Sequence, residues 1–479
     1  MKYKNNFYFY DLETTGLSPS RGQIMQFAGQ RTDIDLTPIG EPDNIYIKIN
    51  PDILPNPEAV LVTGITPQKT LADGISEADF LQYFYDNIAL PGTIFTGFNT
   101  IRFDDEFMRF LNYRNFYDAY KWQWSEGRGK WDMLDIVRIT RALRPEGINW
   151  PVDRDGKPVN KLELLTKLNN LDHQNAHDAL SDVNATIAIA KMIKKHQPKL
   201  FKYLFEIRSK KEVEKLILAG KPFVYCSGRY PSEYQKTTIV VIVGEHPNQA
   251  GSYIVYDLRH DPTSVLNMTV NEIAKWYFNR YDKTESPIPF KLLQTNKCPA
   301  IAPLGVLSVD DQKRLSIDMS SIKLNYDKLA KSTDIADKLA EIFNQDAKSK
   351  QSKYSSEKTD VDSQLYEGFF DSSDKSKMQI VRGLSSEDLA DLNFDFADSR
   401  LTKILLRYKA RQYPTSLTEE EKIEWDKHVK TKLGQPGGEL EVYFKQLNEL
   451  LNKYSTDSKK MYLLEELRLY GESLVPYNY

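Results

Sequence analysis

The alternation of hydrophobic and polar positions changes character along the chain. In roughly the first 200 residues, the apolar runs Phe7–Tyr10, Tyr46–Ile49 and Ile94–Phe98 read as short strands, and helical periodicity across Asp104–Tyr113 and Ala176–Ile193 predicts helices. Strands alternating with helices predict an α/β layer fold. From Phe223 the texture becomes β-rich: Phe223–Tyr225, Thr237–Val243 and Tyr253–Asp257 are β-branched and aromatic runs separated by Gly, Pro and Asn turns, which predicts a small antiparallel sheet or barrel. Between Ala347 and Asp360, Lys, Ser and Asp replace the apolar period, so an exposed linker and a domain boundary are expected there. Beyond it, Thr418 and Glu421 have capping-box spacing, and Leu440, Tyr443, Phe444, Leu447, Leu450, Leu451 and Tyr454 recur at helical intervals after Gly437 and Gly438. The last part of the chain is therefore expected to be a helical bundle.

Composition narrows the class without naming it. A chain of 479 residues, 41% hydrophobic and 27% charged, can build several cores and is not a disordered protein. Its two cysteines, Cys226 and Cys298, cannot supply a disulfide framework, and no Cys/His cluster has zinc spacing. A reducing, cytoplasmic setting is the expectation. The apolar stretch at Phe7–Tyr10 is far too short for a signal segment, and no run approaches the roughly 20 apolar residues of a membrane span. With a net charge of -3, any binding of a polyanion must rest on local clusters of Lys and Arg.

Three segments carry candidate chemistry. In Asp11-Leu-Glu13 a strand runs into two acids one residue apart, and side-chain alternation puts both on one side, where they repel and call for a cation. Taken alone, the pair also reads as a solvated strand end. Gly97-Phe-Asn-Thr-Ile-Arg-Phe-Asp-Asp-Glu106 passes from a strand into a helix with an acidic first turn, which dipole preference alone can explain; here either Asp104 or Asp105 can be a ligand. Asn175-Ala-His-Asp-Ala-Leu-Ser-Asp182 brings His177 and Asp182 to a helix entry, where a lone histidine reads equally as a cap. Together they offer four carboxylates and an imidazole, the set that two-metal phosphodiester hydrolysis requires. Hard oxygen ligands without thiolates favour Mg²⁺, with Mn²⁺ as a substitute, and the imidazole suits a general base.

This order of residues resembles the DEDDh superfamily of 3′ to 5′ exonucleases. More specifically, Phe103-Asp-Asp-Glu106, Tyr113-Arg-Asn-Phe-Tyr-Asp118, Leu143-Arg-Pro-Glu-Gly-Ile-Asn-Trp-Pro151, Asn175-Ala-His-Asp-Ala179, Asn296-Lys-Cys-Pro299 and Leu365-Tyr-Glu-Gly-Phe-Phe370 are similar to bacterial exonuclease I over nearly the whole chain. Leu12 departs from that family, which tends to carry an aromatic residue there. The resemblance implies an α/β, RNase H-like exonuclease domain over residues 1–198, an SH3-like β-barrel domain over 199–350 and a C-terminal helical domain over 351–479. It implies two Mg²⁺ ions on Asp11, Glu13, Asp104 and Asp182, with His177 as general base. The activity implied is 3′ to 5′ degradation of single-stranded DNA to 5′-mononucleotides in repair and recombination, by a monomer that can associate with single-strand DNA-binding protein.

Between Arg109 and Arg138, Arg109, Arg114, Arg128 and Arg138 interleave with Tyr113, Tyr120, Trp122, Trp124 and Trp131. Aromatic faces can stack bases of any sequence while arginines follow phosphates, although large rings are more often core. By resemblance the expected DNA contacts are Arg109, Tyr120, Trp124, Arg138, Lys161, Tyr203, Lys297 and Tyr366.

Overall fold

The structure is a computed structural model describing residues 5–173, 178–279, 288–353, 360–392, 394–435 and 437–475. The chain divides into two compact units. One joins the stretch ending at Gly129 and the segment His173–Asn184 to the chain from Thr359 onward; the other holds Lys130–Asp172 and Ala185–Lys358.

In the first unit, strands β1 (Asn6–Thr14), β2 (Ile24–Thr32), β3 (Asp43–Tyr46) and β4 (Thr93–Thr96) run in the order β3-β2-β1-β4. β2 is antiparallel to both its neighbours, and β1 is parallel to β4. Tyr8, Tyr10, Phe27, Phe95 and Trp122 fill one core, each worth about 1.5–3 kcal/mol in burial. Tyr8 lies so close over Gly29 that a Cβ there would sit 2.3 Å from its ring. β2 leaves no strand signal in the sequence, because its burial on both faces removes the alternation and its polar members are satisfied internally: Gln26 donates to Asn44 at 2.8 Å. The strand expected at Tyr46–Ile49 begins and ends three residues earlier. Ile47 still donates its N–H to the Met25 carbonyl of β2 at 2.9 Å, and only beyond it does the chain leave β2, the Lys48 N–H donating to the Ile75 carbonyl at 2.8 Å.

The C-terminal helices Ser399–Gln412, Glu419–Leu433, Glu439–Lys453 and Ser458–Ser473 belong to this same unit. Val60 is buried among Tyr443, Leu447, Leu464 and Leu467. Fully buried Asp52 accepts from Arg411 at 2.9 and 2.6 Å and from Lys432 at 2.9 Å. Thr418 and Glu421 form the reciprocal cap their spacing predicts. Thr418→Ala should therefore lower stability by about 1 kcal/mol, read as a shift in denaturant midpoint at constant slope.

The second unit contains an antiparallel five-stranded sheet in the order Ala300–Pro303, Phe223–Cys226, Thr237–Glu245, Ser252–Asp257, Phe290–Gln294. Ile254 and Phe290 pack with Ile273, Leu339, Ile342 and Phe343 from two helices. One of these, Ile335–Lys353, corrects the linker expected over Ala347–Asp360 as far as Lys353, residues 354–359 lying outside the described residues: the apolar face of its first half anchors the helix, and Lys, Gln and Ala then propagate it through the polar stretch. Among the described residues no helix is long and apolar enough to cross a membrane.

Candidate active site

The site is built where β1 outruns β4. Their parallel pairing ends at Phe9 opposite Thr96, so the next stretch of β1 has no strand on that side. Asp104 takes the strand's place: its Oδ1 accepts the Leu12 N–H at 3.1 Å. The chain reaches that position by passing so close to β1 that a Cβ on Gly97 would lie 2.4 Å from the Tyr10 carbonyl oxygen. It then crosses Asn99, in the left-handed region at φ 74°, into the helix Asp104–Arg114.

Asp11 and Glu13 project to one side of β1 as alternation requires, with Leu12 buried on the other. Asp182 arrives from the first turn of the helix Ala179–His196, whose entry is held by Asp178 Oδ1 accepting the Ser181 N–H at 3.0 Å. Asp11, Glu13 and Asp182 each place a carboxylate oxygen within 4.8 Å of the others. Burial, then the charges of Asp104, Asp182 and Asp178, hold the Asp11 carboxyl well above the usual range. Burial and the same kind of crowding, by Asp11, Asp182 and Asp178, push Glu13 up to about 9. Acids placed this closely in a semi-enclosed site are relieved by a cation, and an all-oxygen donor set suits a hard divalent ion.

The two aspartates that the sequence leaves as alternatives separate cleanly. Asp105 turns inward, accepting the Tyr10 hydroxyl at 2.6 Å and facing Arg109 at 3.8 Å, whereas Asp104 faces Asp11. His177 lies outside the described residues. His173, which no sequence motif marks, has its Nε2 2.5 Å from Asp182 Oδ1 and its ring nearly buried. Its signal is weak: a histidine nine residues before the acid, across a segment with no period.

The expected DNA contacts fall into different settings. In the first unit Arg109 is buried, paired with Glu106 and lying 5.7 Å from the Tyr120 ring centroid, and Tyr366 bonds the same Glu106. Trp124 and Tyr366 are exposed, at 65% and 58%, while Tyr113 and Trp122 are core. Arg114 and Arg128 are engaged by Glu77 and Glu126. In the second unit Arg138 pairs with Asp135 at 2.8 Å, and Trp131 is buried. Exposed Lys161 lies 3.7 Å from Glu163, the half-buried Tyr203 hydroxyl donates to the Ile301 carbonyl at 3.2 Å, and Lys297 closes a short turn from Thr295.

Three family models match in succession: "Exonuclease" over residues 8–190, "Exonuclease I SH3-like domain" over 208–345 and "Exonuclease I C-terminal domain" over 359–474. The exodeoxyribonuclease I of Haemophilus influenzae is 41% identical over 98% of this chain and 99% of its own. Escherichia coli exonuclease I in complex with a dA16 oligonucleotide superposes with a TM-score of 0.92 at 38% identity, covering 98% of this chain and all of that one. A structure of SSB/exonuclease I in complex with an inhibitor gives 0.90 at 37% identity, over 99% of this chain and all of that one. With identity at this level running from end to end through three successive domains, the chain belongs to the exodeoxyribonuclease I family.

Proposed function

We propose that the chain is a 3′ to 5′ exonuclease that removes 5′-mononucleotides from single-stranded DNA, acting in repair and recombination as a cytoplasmic monomer. The observation that carries this reading is the cluster of Asp11, Glu13 and Asp182 oxygens within 4.8 Å, adjoined by Asp104. Family membership supports the activity, and the oligonucleotide complex of the Escherichia coli relative supports the substrate. The SSB-containing relative supports single-strand DNA-binding protein as a partner.

In this reading Asp11, Glu13, Asp104 and Asp182 hold two Mg²⁺ ions. Bound there, the ions supply an activated water and charge stabilisation at the leaving 3′ oxygen. The protein's own groups do the rest. Asp104 keeps its carboxylate fixed by the Leu12 N–H, His173 holds the orientation of Asp182, and His177 accepts the proton of the attacking water. Exposed Trp124 and Tyr366 offer faces for bases; Tyr120 and, from the second unit, Arg138, Lys161, Tyr203 and Lys297 complete the proposed contacts, with Arg109 acting through the Glu106 and Tyr366 network.

The test is a product assay on 3′-labelled and 5′-labelled oligonucleotides as single-stranded DNA, duplex DNA and RNA, with Mg²⁺ or EDTA. Mg²⁺-dependent mononucleotide release from the 3′ end of single-stranded DNA is expected. Equal digestion of RNA would make the chain a general exonuclease, and binding without cleavage would refute the enzymatic reading. His177→Ala should slow turnover by roughly 10² to 10⁴-fold, and an unchanged rate would remove it from the role of base. His173→Ala should weaken divalent-metal binding by about 10 to 100-fold in calorimetry, with His173→Gln recovering part of the loss if hydrogen bonding to Asp182 is what matters.

A further inference from the structure

Two buried polar side chains beside the acidic site take no part in the chemistry described above. Tyr10 and Asp105 are each 1% exposed, and each is the chain neighbour of an acid of the site, Tyr10 of Asp11 and Asp105 of Asp104. The Tyr10 hydroxyl donates to Asp105 Oδ1 at 2.6 Å. The other Asp105 oxygen faces Arg109 at 3.8 Å, and Arg109 is itself held by Glu106 and by Gln123 at 3.3 Å. Burying a carboxylate is costly even when it is paired, so its presence where an apolar side chain would pack calls for a reason.

The reason lies in how the two segments that carry the site meet. Alternation along β1 puts Tyr10 and Leu12 on the face opposite Asp11 and Glu13, and there they share a core with Phe107, Met108 and Leu111 of the helix Asp104–Arg114. Apolar contacts hold that helix down, but they are non-directional and specify its rotation and its slide along the strand only weakly. Two hydrogen bonds remove this freedom: the Tyr10 hydroxyl to Asp105, and the Leu12 N–H to Asp104 at 3.1 Å. Asp104 and Asp105 are consecutive on one helix, so pinning the second carboxylate aims the first.

We propose that Tyr10 and Asp105 form a positioning pair that fixes Asp104 against Asp11 and thereby sets the affinity for divalent ions, a proposal that rests on the metal-dependent reading above. Neither residue is a ligand; the pair acts by riveting together the two segments that carry ligands. The same strand supplies a control. Tyr8, two residues earlier on the same face and equally buried, donates its hydroxyl to Asp43 of β3, a bond that joins no segment bearing a site acid.

Mn²⁺ binding to the wild type and to Tyr10→Phe, Tyr8→Phe and Asp105→Asn would be measured by calorimetry without DNA, beside single-strand affinity in EDTA and thermal melting. Tyr10→Phe keeps the ring and its packing; it should weaken Mn²⁺ binding about tenfold, the scale of losing a group that orients a metal ligand, with DNA affinity in EDTA unchanged. Tyr8→Phe should leave Mn²⁺ binding unchanged, although it too deletes a buried hydroxyl. Asp105→Asn, whose amide oxygen can still accept from Tyr10, should weaken Mn²⁺ binding less than Tyr10→Phe does. Unchanged Mn²⁺ affinity in Tyr10→Phe, or an equal loss in Tyr8→Phe, overturns the proposal. A wild type that takes up no Mn²⁺ would overturn the metal reading and the pair with it, whereas normal uptake that Tyr10→Phe leaves intact would remove the pair alone.

Discussion

Asp11→Ala is expected to abolish nucleotide release, by at least about 10³-fold, while leaving the fold intact. On the two-ion reading proposed above, the Asp11 carboxylate, crowded by Glu13, Asp104 and Asp182, is the ligand both cations share, so its loss would remove charge stabilisation worth several kcal/mol. The metal-free protein should respond in the opposite sense. Acids held above their usual range destabilise the native state as pH rises through the window between their unfolded and folded values; for Glu13 that window runs from 4.5 to about 9. Removing Asp11 relieves Glu13 of one of its crowding charges, so in EDTA the variant should lose less stability than wild type as pH rises through this window. Mg²⁺ should raise the melting temperature of wild type and not that of the variant. Turnover near the wild-type rate would sink the ligand assignment.

Asp52→Ala should destabilise the protein by about 3–5 kcal/mol, because Arg411 and Lys432 would lose their buried counter-charge. Arg411 would keep Asp362 at 2.6 Å, which places the loss toward the lower end. The guanidinium of Arg411 and the ammonium of Lys432 outweigh burial and hold Asp52 well below the usual carboxylate range. Its stabilising contribution is therefore present above the ordinary value near 4 and fades as pH falls toward the folded value. Denaturant unfolding at neutral pH should show the full difference, and the two proteins should converge on acidification. A difference that persists unchanged into acid would mean that packing, rather than charge, is responsible.

Local chemistry in this chain is legible from sequence where it depends on neighbours in the chain. The alternation that puts Asp11 and Glu13 on one side, the Thr418 cap and the apolar face of Glu439–Lys453 are all short-range facts. Choices set by distant partners are hidden. Asp104 and Asp105 look alike until Leu12 and Tyr10 are brought to them, and Trp122 and Trp124, two residues apart, part into core and surface only in the packed unit. β2 escapes because its polar residues find partners inside, so the signal of exposure that polarity normally gives is false. The helix through Ala347–Lys353 escapes because it grows from an anchor formed earlier in the chain.

The packing of Val60 against Tyr443, Leu447 and Leu464, and of the Tyr470 hydroxyl on the Ile53 carbonyl at 3.0 Å, couples the start of the chain to its end. On the ribosome, Val60 emerges without its C-terminal partners until nearly 400 residues more have been made, roughly 20 to 80 s at ordinary elongation rates. For that interval the nascent chain carries an uncovered apolar surface that its own sequence cannot yet fill. Ribosome stalling or premature termination just before Leu440 should thus yield an aggregation-prone or chaperone-bound product rather than a smaller folded nuclease.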